Sequence, residues 1–185
     1  INTHKGMIFL MGITIAAMGK VLYEDMKFSE IQSIIKLMVK DILDDFKELN
    51  KKECLTHGEK LYLEYGFTGI RGQIKDGLAV LFDNIIEKYS YSELKENDLY
   101  TQILIELMSR VEDSTIVYRH DINTLRKVQL DAKELLNLGG EFTDAGKKRC
   151  EELEEIYIEK NISPGGCADL LAISILLLNV KKLMF

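Results

Sequence analysis

The sequence predicts an all-α protein, a compact multi-helix bundle with buried apolar helices near both ends. Apolar residues recur at three- and four-residue spacing through most of the chain. No two alternating apolar runs are joined by a turn signal that reads as a hairpin. Proline occurs once in 185 residues, so little interrupts helix. With 46% hydrophobic residues the chain can bury a core, and a single helical domain over 1–185 is expected.

The elements follow in order. Residues 6–23 are apolar nearly all round and read as a central helix, where Gly12, Ala16 and Gly19 would let neighbours approach closely. Ser29 caps a long amphipathic helix that carries Ile31, Ile34, Ile35, Met38, Ile42 and Phe46. Thr56 and Glu59 have capping-box spacing, followed by Leu61, Tyr62 and Tyr65 before Gly66 stops the helix. A fourth helix is predicted over 73–89, and Asn97 caps a fifth over 98–112. Residues 122–138 carry Leu125, Val128, Ala132, Leu135 and Leu136, then end at Gly139-Gly140. Residues 144–160 are strongly charged and amphipathic, hence peripheral, and a last helix covers 164–184. That makes eight helices and no sheet.

Composition excludes several classes. A formal net charge of -6 argues against a nucleic-acid binder, whose footprint is basic. The charge-free runs at 7–19 and 170–180 are shorter than a membrane span and read as core helices, with no membrane association expected. No small-residue cleavage site follows the first residues. Cys54, Cys150 and Cys167 are an odd number with no C-x-x-C pair, which argues against a disulfide framework or a zinc site and for a reduced, cytoplasmic setting. The chain opens at Ile1 on a polar motif, so the C-terminal part of a longer protein is expected.

Unusual residues gather in the connecting segments, the usual home of binding groups. The lone proline sits in Ser163-Pro164-Gly165-Gly166, directly before an apolar run. Ser163 suits an N-cap and Pro164 the first helical position, while Gly165 and Gly166 leave first-turn N–H groups unshielded, an arrangement that favours an anion such as phosphate. Asp169 follows in a run too apolar to hide a carboxylate without cost. His4-Lys5-Gly6 places cations at a helix start, against the macrodipole unless an anion binds there; an ordinary polar helix start is the equal alternative. Gly66, Gly69 and Gly72 with Arg71 read as a flexible loop carrying one guanidinium fork, or simply as a helix cap and turn. Glu112-Asp113 ends a helix where carboxylates oppose the dipole, which hints at a cation or a catalytic duty. The plainer alternative is a solvated helix end with Arg119 pairing Asp113 or Asp121. His57 and the acidic 151–155 cluster read as solvated surface, and no Walker loop is present.

Three separated motifs together are more specific than any one. Asn2-Thr3-His4-Lys5-Gly6 followed by Ile8-Phe9 and Gly12, then Leu61-Tyr62 through Thr68-Gly69-Ile70-Arg71-Gly72, then Ser163-Pro164-Gly165-Gly166 through Ala168-Asp169-Leu170-Leu171, resemble the triphosphoribosyl-dephospho-CoA synthase family in order and approximate spacing. The resemblance covers the whole chain. It departs from the family where Arg71-Gly72-Gln73 replaces Arg-Gly-Glu, and where Asp113-Ser114-Thr115 and Arg119-His120-Asp121 replace Asp-Thr-Asn and Arg-Gly-Gly. Members also carry a region before the His-Lys-Gly helix.

The resemblance implies transfer of the triphosphoribosyl group of ATP to the ribose 2'-hydroxyl of 3'-dephospho-CoA, with release of adenine. The product would pass to a prosthetic-group transferase serving an acyl-carrier protein of citrate lyase or malonate decarboxylase. Cleaving the ribose–adenine bond builds positive charge on the sugar, as in glycoside chemistry. A carboxylate that stabilises this charge or takes the hydroxyl proton is then needed, Asp113 first and Asp169 second, with His4 to orient phosphate or protonate adenine. Asn2, Lys5, Gly69, Arg71, Gly72, Arg119, Ser163, Gly165 and Gly166 are the implied phosphate ligands, with magnesium on the polyphosphate held by Asp169 or Asp113. Two other readings stay open: a different nucleotide enzyme (hydrolase or phosphotransferase), or a helical interaction module without catalysis. A homo-oligomer is compatible with the apolar end helices.

Overall fold

The structure, a computed structural model, describes residues 5–184. Helices account for the regular structure, and no strand occurs among the described residues. The chain divides into two compact units, one of residues 1–87 with 172–185 and one of residues 88–171.

The first unit opens with α1 (Lys5–Tyr23) and α2 (Glu30–Met38), followed by a 3₁₀ segment (Asp44–Lys51), α3 (His57–Tyr65) and α4 (Gly69–Lys75). A continuous helical stretch then runs through α5 (Ala79–Leu81), a π-helical turn (Phe82–Ile86) and α6 (Glu87–Tyr89), whose last two residues belong to the second unit. Leu10, Ala17 and Val21 of α1, Ile31 and Ile35 of α2, and Ile74, Leu81 and Ile85 are buried and form much of its core. The second unit holds α7 (Glu96–Met108), α8 (Ser114–Arg119), α9 (Ile122–Asn137), a 3₁₀ turn (Gly140–Phe142) and α10 (Asp144–Glu159). Ile103, Leu107, Ile116, Leu125, Val128 and Leu153 are buried there. The last helix, α11 (Gly165–Met184), begins in the second unit and continues in the first.

α1 is 19 residues long with a mean hydropathy of 1.7, long and apolar enough by length and composition to cross a membrane. Its buried residues Leu10, Thr14, Ala17, Met18 and Val21 keep helical spacing, as a core-facing stripe does. The expected close approach at Gly12 and Gly19 is absent, since a Cβ at either would meet nothing within 4 Å.

Two long helices predicted by periodicity are shorter. The one predicted through Phe46 ends at Met38, with Val39 in a non-helical conformation (φ -118, ψ 21). Asp41, Asp44 and Asp45 would load its C-terminal turns with negative charge, whereas Asp44 and Asp45 suit the first turn of the 3₁₀ segment. The helix predicted over 73–89 breaks at Gly77 (φ 68) and Leu78 (φ 57), both left-handed. A Cβ on Gly77 would lie 2.8 Å from the Gln32 carbonyl oxygen of α2, so this approach requires glycine. The segment expected to be a Gly-rich loop is instead the start of α4, with Arg71 inside the helix. The Thr68 hydroxyl leans into the space that a Gly72 Cβ would occupy.

Local capping signals fare better. Thr56 accepts from the Glu59 N–H at 3.3 Å, and Glu59 accepts from the Thr56 N–H at 2.7 Å, completing the box, while Gly66 (φ 74) ends the helix in the left-handed region. Ser29 does occupy the N-cap position of α2, although its side chain makes no cap bond; Glu30 accepts from the Lys27 N–H at 3.3 Å. α7 starts one residue before Asn97, with Lys95 as its N-cap.

The Lys52 ammonium, with the Thr56 N–H and hydroxyl, holds the Glu59 carboxyl down at about 2. A carboxyl depressed in the folded state stabilises above its unfolded pKa of about 4.3 and loses that contribution as pH falls toward 2. The Glu59→Gln variant should therefore unfold at lower urea than the parent at pH 7, with the gap closing between pH 5 and 2. A pH-independent gap in urea midpoints would show that the carboxylate charge is irrelevant.

Candidate active site

The predicted site residues distribute over both units. Lys5, Gly69, Arg71 and Gly72 lie in the first; Asp113, Arg119, Ser163, Gly165, Gly166 and Asp169 lie in the second. Asn2 and His4 fall outside the described residues.

In the second unit the structure joins two motifs that the sequence places about fifty residues apart. Asp113 is the N-cap of α8: its Oδ1 accepts from the Thr115 N–H at 2.9 Å and the Ile116 N–H at 3.4 Å. Its other oxygen, Oδ2, accepts from the Cys167 N–H of α11 at 2.9 Å. Thus a first-turn donor of α11 is met by the protein's own carboxylate, and two helix N-termini share one negative charge. Asp113 is 1% exposed. The Cys167 thiol beside it is buried, and burial together with the Asp113 charge pushes its pKa well up, so it stays a thiol.

The two glycines are explained by the same contact. A Cβ on Gly166 would lie 3.0 Å from Asp113 Oδ1, and one on Gly165 would lie 3.0 Å from Thr115 Cγ2. They let α11 start hard against the 113–115 turn. Ser163 contributes its carbonyl, accepting from the Gly165 N–H at 2.9 Å, and the Pro164 carbonyl accepts the Ala168 N–H at 2.9 Å. Asp169, two residues beyond Cys167 on α11, is partly exposed.

Arg119 is exposed at the end of α8 and has no ion-pair partner among the described residues, so the expected pair with Asp113 or Asp121 does not form. Asp121 instead caps α9, accepting from the Thr124 N–H at 2.6 Å, which keeps its carboxyl low. His120 Nε2 donates to the Asn161 carbonyl at 3.1 Å, tying the α8–α9 corner to the turn after α10.

In the first unit, Lys5 is exposed at the start of α1. Arg71 projects from α4 toward the 3₁₀ segment: its Nη1 lies 3.3 Å from Asp45 Oδ2, and its guanidinium carbon lies 5.4 Å from the centre of the Phe46 ring. Phe46 in turn stacks on Tyr62 of α3, centroids 4.4 Å apart and planes at 9°. Sequence reasoning missed Asp45 and Phe46 as companions of Arg71, because periodicity assigned Phe46 to a helix face.

A cavity of about 610 Å³ in the second unit is lined by Lys88, Tyr91, Glu141, Phe142, Asp144 and Lys147 among others. It is no anion cradle. Lys88 pairs with the buried Glu106, Lys147 pairs with Asp98 at 2.7 Å, and Glu141 and Asp144 add negative charge. Burial and the Asp98 charge raise the Glu141 carboxyl above its ordinary range. No group of three or more His, Cys, Asp or Glu among the described residues could hold a metal ion. Asp113 does not fit a metal cage either, since three backbone N–H groups already point at its oxygens.

Residues 1–184 match the family described as ATP:dephospho-CoA triphosphoribosyl transferase, and the chain belongs to that family. It is 37% identical over 187 residues to a protein of Malonomonas rubra named "Probable 2-(5''-triphosphoribosyl)-3'-dephosphocoenzyme-A synthase", covering 95% of this chain and 58% of that one. Proteins of the same name from Photobacterium profundum (38% identical) and Vibrio cholerae (33%) each cover 99% of the chain, which spans 60% of their length. The chain therefore spans about three-fifths of these relatives. No solved structure matches it significantly.

Proposed function

We propose that the protein transfers the triphosphoribosyl group of ATP to the ribose 2'-hydroxyl of 3'-dephospho-CoA, releasing adenine. The match of residues 1–184 to the transferase family carries the reading. The geometry refines which groups do what. Asp113 is too enclosed to take a proton from a ribose hydroxyl; it fixes the starts of α8 and α11. Asp169, more exposed and on the turn that Asp113 anchors, is the carboxylate that faces the reacting ribose, either accepting the hydroxyl proton or stabilising positive charge on the sugar. Lys5 and Arg71 in the first unit and Arg119 in the second are all exposed to some degree, and each is a candidate cationic contact for phosphate. Magnesium enters as part of the nucleotide substrate and keeps most of its ligands from phosphate and water. The product goes on to a prosthetic-group transferase acting on an acyl-carrier protein, in the cytoplasm.

Incubating the protein with ATP, magnesium and dephospho-CoA should release adenine and yield a dephospho-CoA heavier by the triphosphoribosyl group. ADP or phosphate in place of adenine would mark a phosphotransferase or hydrolase. Absence of both turnover and thermal stabilisation by ATP or dephospho-CoA would leave only a helical interaction module, because a binder is stabilised by mass action. Asp169→Asn should lower turnover by about a hundredfold or more, measured on protein whose circular dichroism matches the parent. Undiminished adenine release would remove Asp169 from the chemistry.

A further inference from the structure

We propose that Phe46 is a positioning residue for Arg71 and Asp45 its resting counter-ion, Phe46 holding the guanidinium in place and Asp45 occupying one edge until a linear polyphosphate displaces it. This rests on reading Arg71 as a polyphosphate ligand. Three consecutive elements meet at Phe46: the 3₁₀ segment supplies Phe46 and its neighbour Asp45, α3 supplies Tyr62 stacked on the Phe46 ring, and α4 supplies Arg71.

The two contacts divide the work. A ring beneath a guanidinium attracts the cation through its face and uses none of the N–H donors, which lie in the guanidinium plane. Phe46, itself stacked at 4.4 Å on Tyr62, lies under the guanidinium carbon at 5.4 Å and offers it a cation–π contact without a hydrogen-bond acceptor atom. Asp45 contacts only Nη1, at 3.3 Å, and the arginine side chain remains 41% exposed. The other donors keep the planar geometry that suits phosphate oxygens bidentately. A long, exposed ion pair of this kind contributes little to folding, but a cation already held in place has less freedom to lose on binding. Asp45, 68% exposed, is also a competitor: an arriving polyphosphate must displace or share its contact. Neighbouring Asp44 is engaged with Lys47 at 2.6 Å, leaving Asp45 as the carboxylate directed at Arg71.

Opposite effects of the two neighbours are the signature. In calorimetric titrations of the 185-residue chain with inorganic tripolyphosphate, Arg71→Ala should weaken binding by about tenfold or more. Phe46→Leu should weaken it by about two- to fivefold, with Phe46→Tyr restoring parental affinity. Asp45→Asn should tighten it by a similar factor and steepen its salt dependence. In the Arg71→Ala background the Phe46 and Asp45 changes should be silent. If Arg71→Ala weakens binding but Phe46→Leu and Asp45→Asn bind as the parent does, positioning is overturned while the reading of Arg71 stands. If the parent does not bind tripolyphosphate, or Arg71→Ala binds it equally well, that reading falls and this inference with it. Should Phe46→Leu not fold, the Asp45→Asn titration decides alone: unchanged or weakened binding overturns the proposal.

Discussion

Asp113→Ala is expected to destabilise the protein by about 3–5 kcal/mol, because one substitution uncaps two helices and strands buried donors. The Thr115 and Ile116 N–H groups of α8 and the Cys167 N–H of α11 would lose their acceptor together. An exposed cap would be replaced by water, but Asp113 is 1% exposed and water reaches it poorly. Asp113→Asn should do less harm, about 1–3 kcal/mol, since one amide oxygen can still accept while its NH₂ faces N–H donors. Urea unfolding followed by circular dichroism measures both. A midpoint for Asp113→Ala within error of the parent would show that the shared cap is not a structural element. Setting it beside Asp169→Asn separates the two carboxylates: one variant should lose stability, the other turnover.

Gly146→Ala is expected to cost about 3 kcal/mol or more, for a different reason. A Cβ at 146 would lie 2.1 Å from the Gly140 carbonyl oxygen and 2.8 Å from two further Gly140 backbone atoms. Backbone cannot rotate aside as a side-chain tip can, so the first turn of α10 or the Gly140–Phe142 turn must move. Gly140 is itself left-handed (φ 54) and packed against Gln102, whose Oε1 accepts the Glu141 N–H at 2.8 Å. Relief at one place therefore disturbs the other. Gly58→Ala is the control, since nothing lies within 4 Å of that position and helix propensity favours alanine. Equal urea midpoints for Gly146→Ala and Gly58→Ala would refute the close approach.

What could be read in the sequence was mainly what depends on near neighbours. The Thr56–Glu59 box, the Gly66 stop and the Gly139 turn need only a few adjacent residues, and all three stand in the structure. The all-α class followed from periodicity and the rarity of proline. The extent of helix was harder, because Leu78 adopts φ 57 for reasons of packing that no propensity carries. Gly69 and Gly72 looked like loop residues, yet Gly72 is needed under the Thr68 side chain within α4. The segment around Pro164 was recognised as a shaped helix start, but its partner was not, because Asp113 lies 54 residues from Cys167. Asp113 was singled out as a charge in an awkward place. Only the fold shows that it begins a new helix rather than ending an old one, which removes the electrostatic objection.

The bond between Asp113 and Cys167 has a dynamic consequence. Helix starts ordinarily fray, each on its own, with opening free energies near zero. Here the first turn of α11 is held by one oxygen of the carboxylate whose other oxygen caps α8, and the contact links residues 54 apart in sequence. One side chain thus bears on both helix starts, and whatever displaces it loosens both.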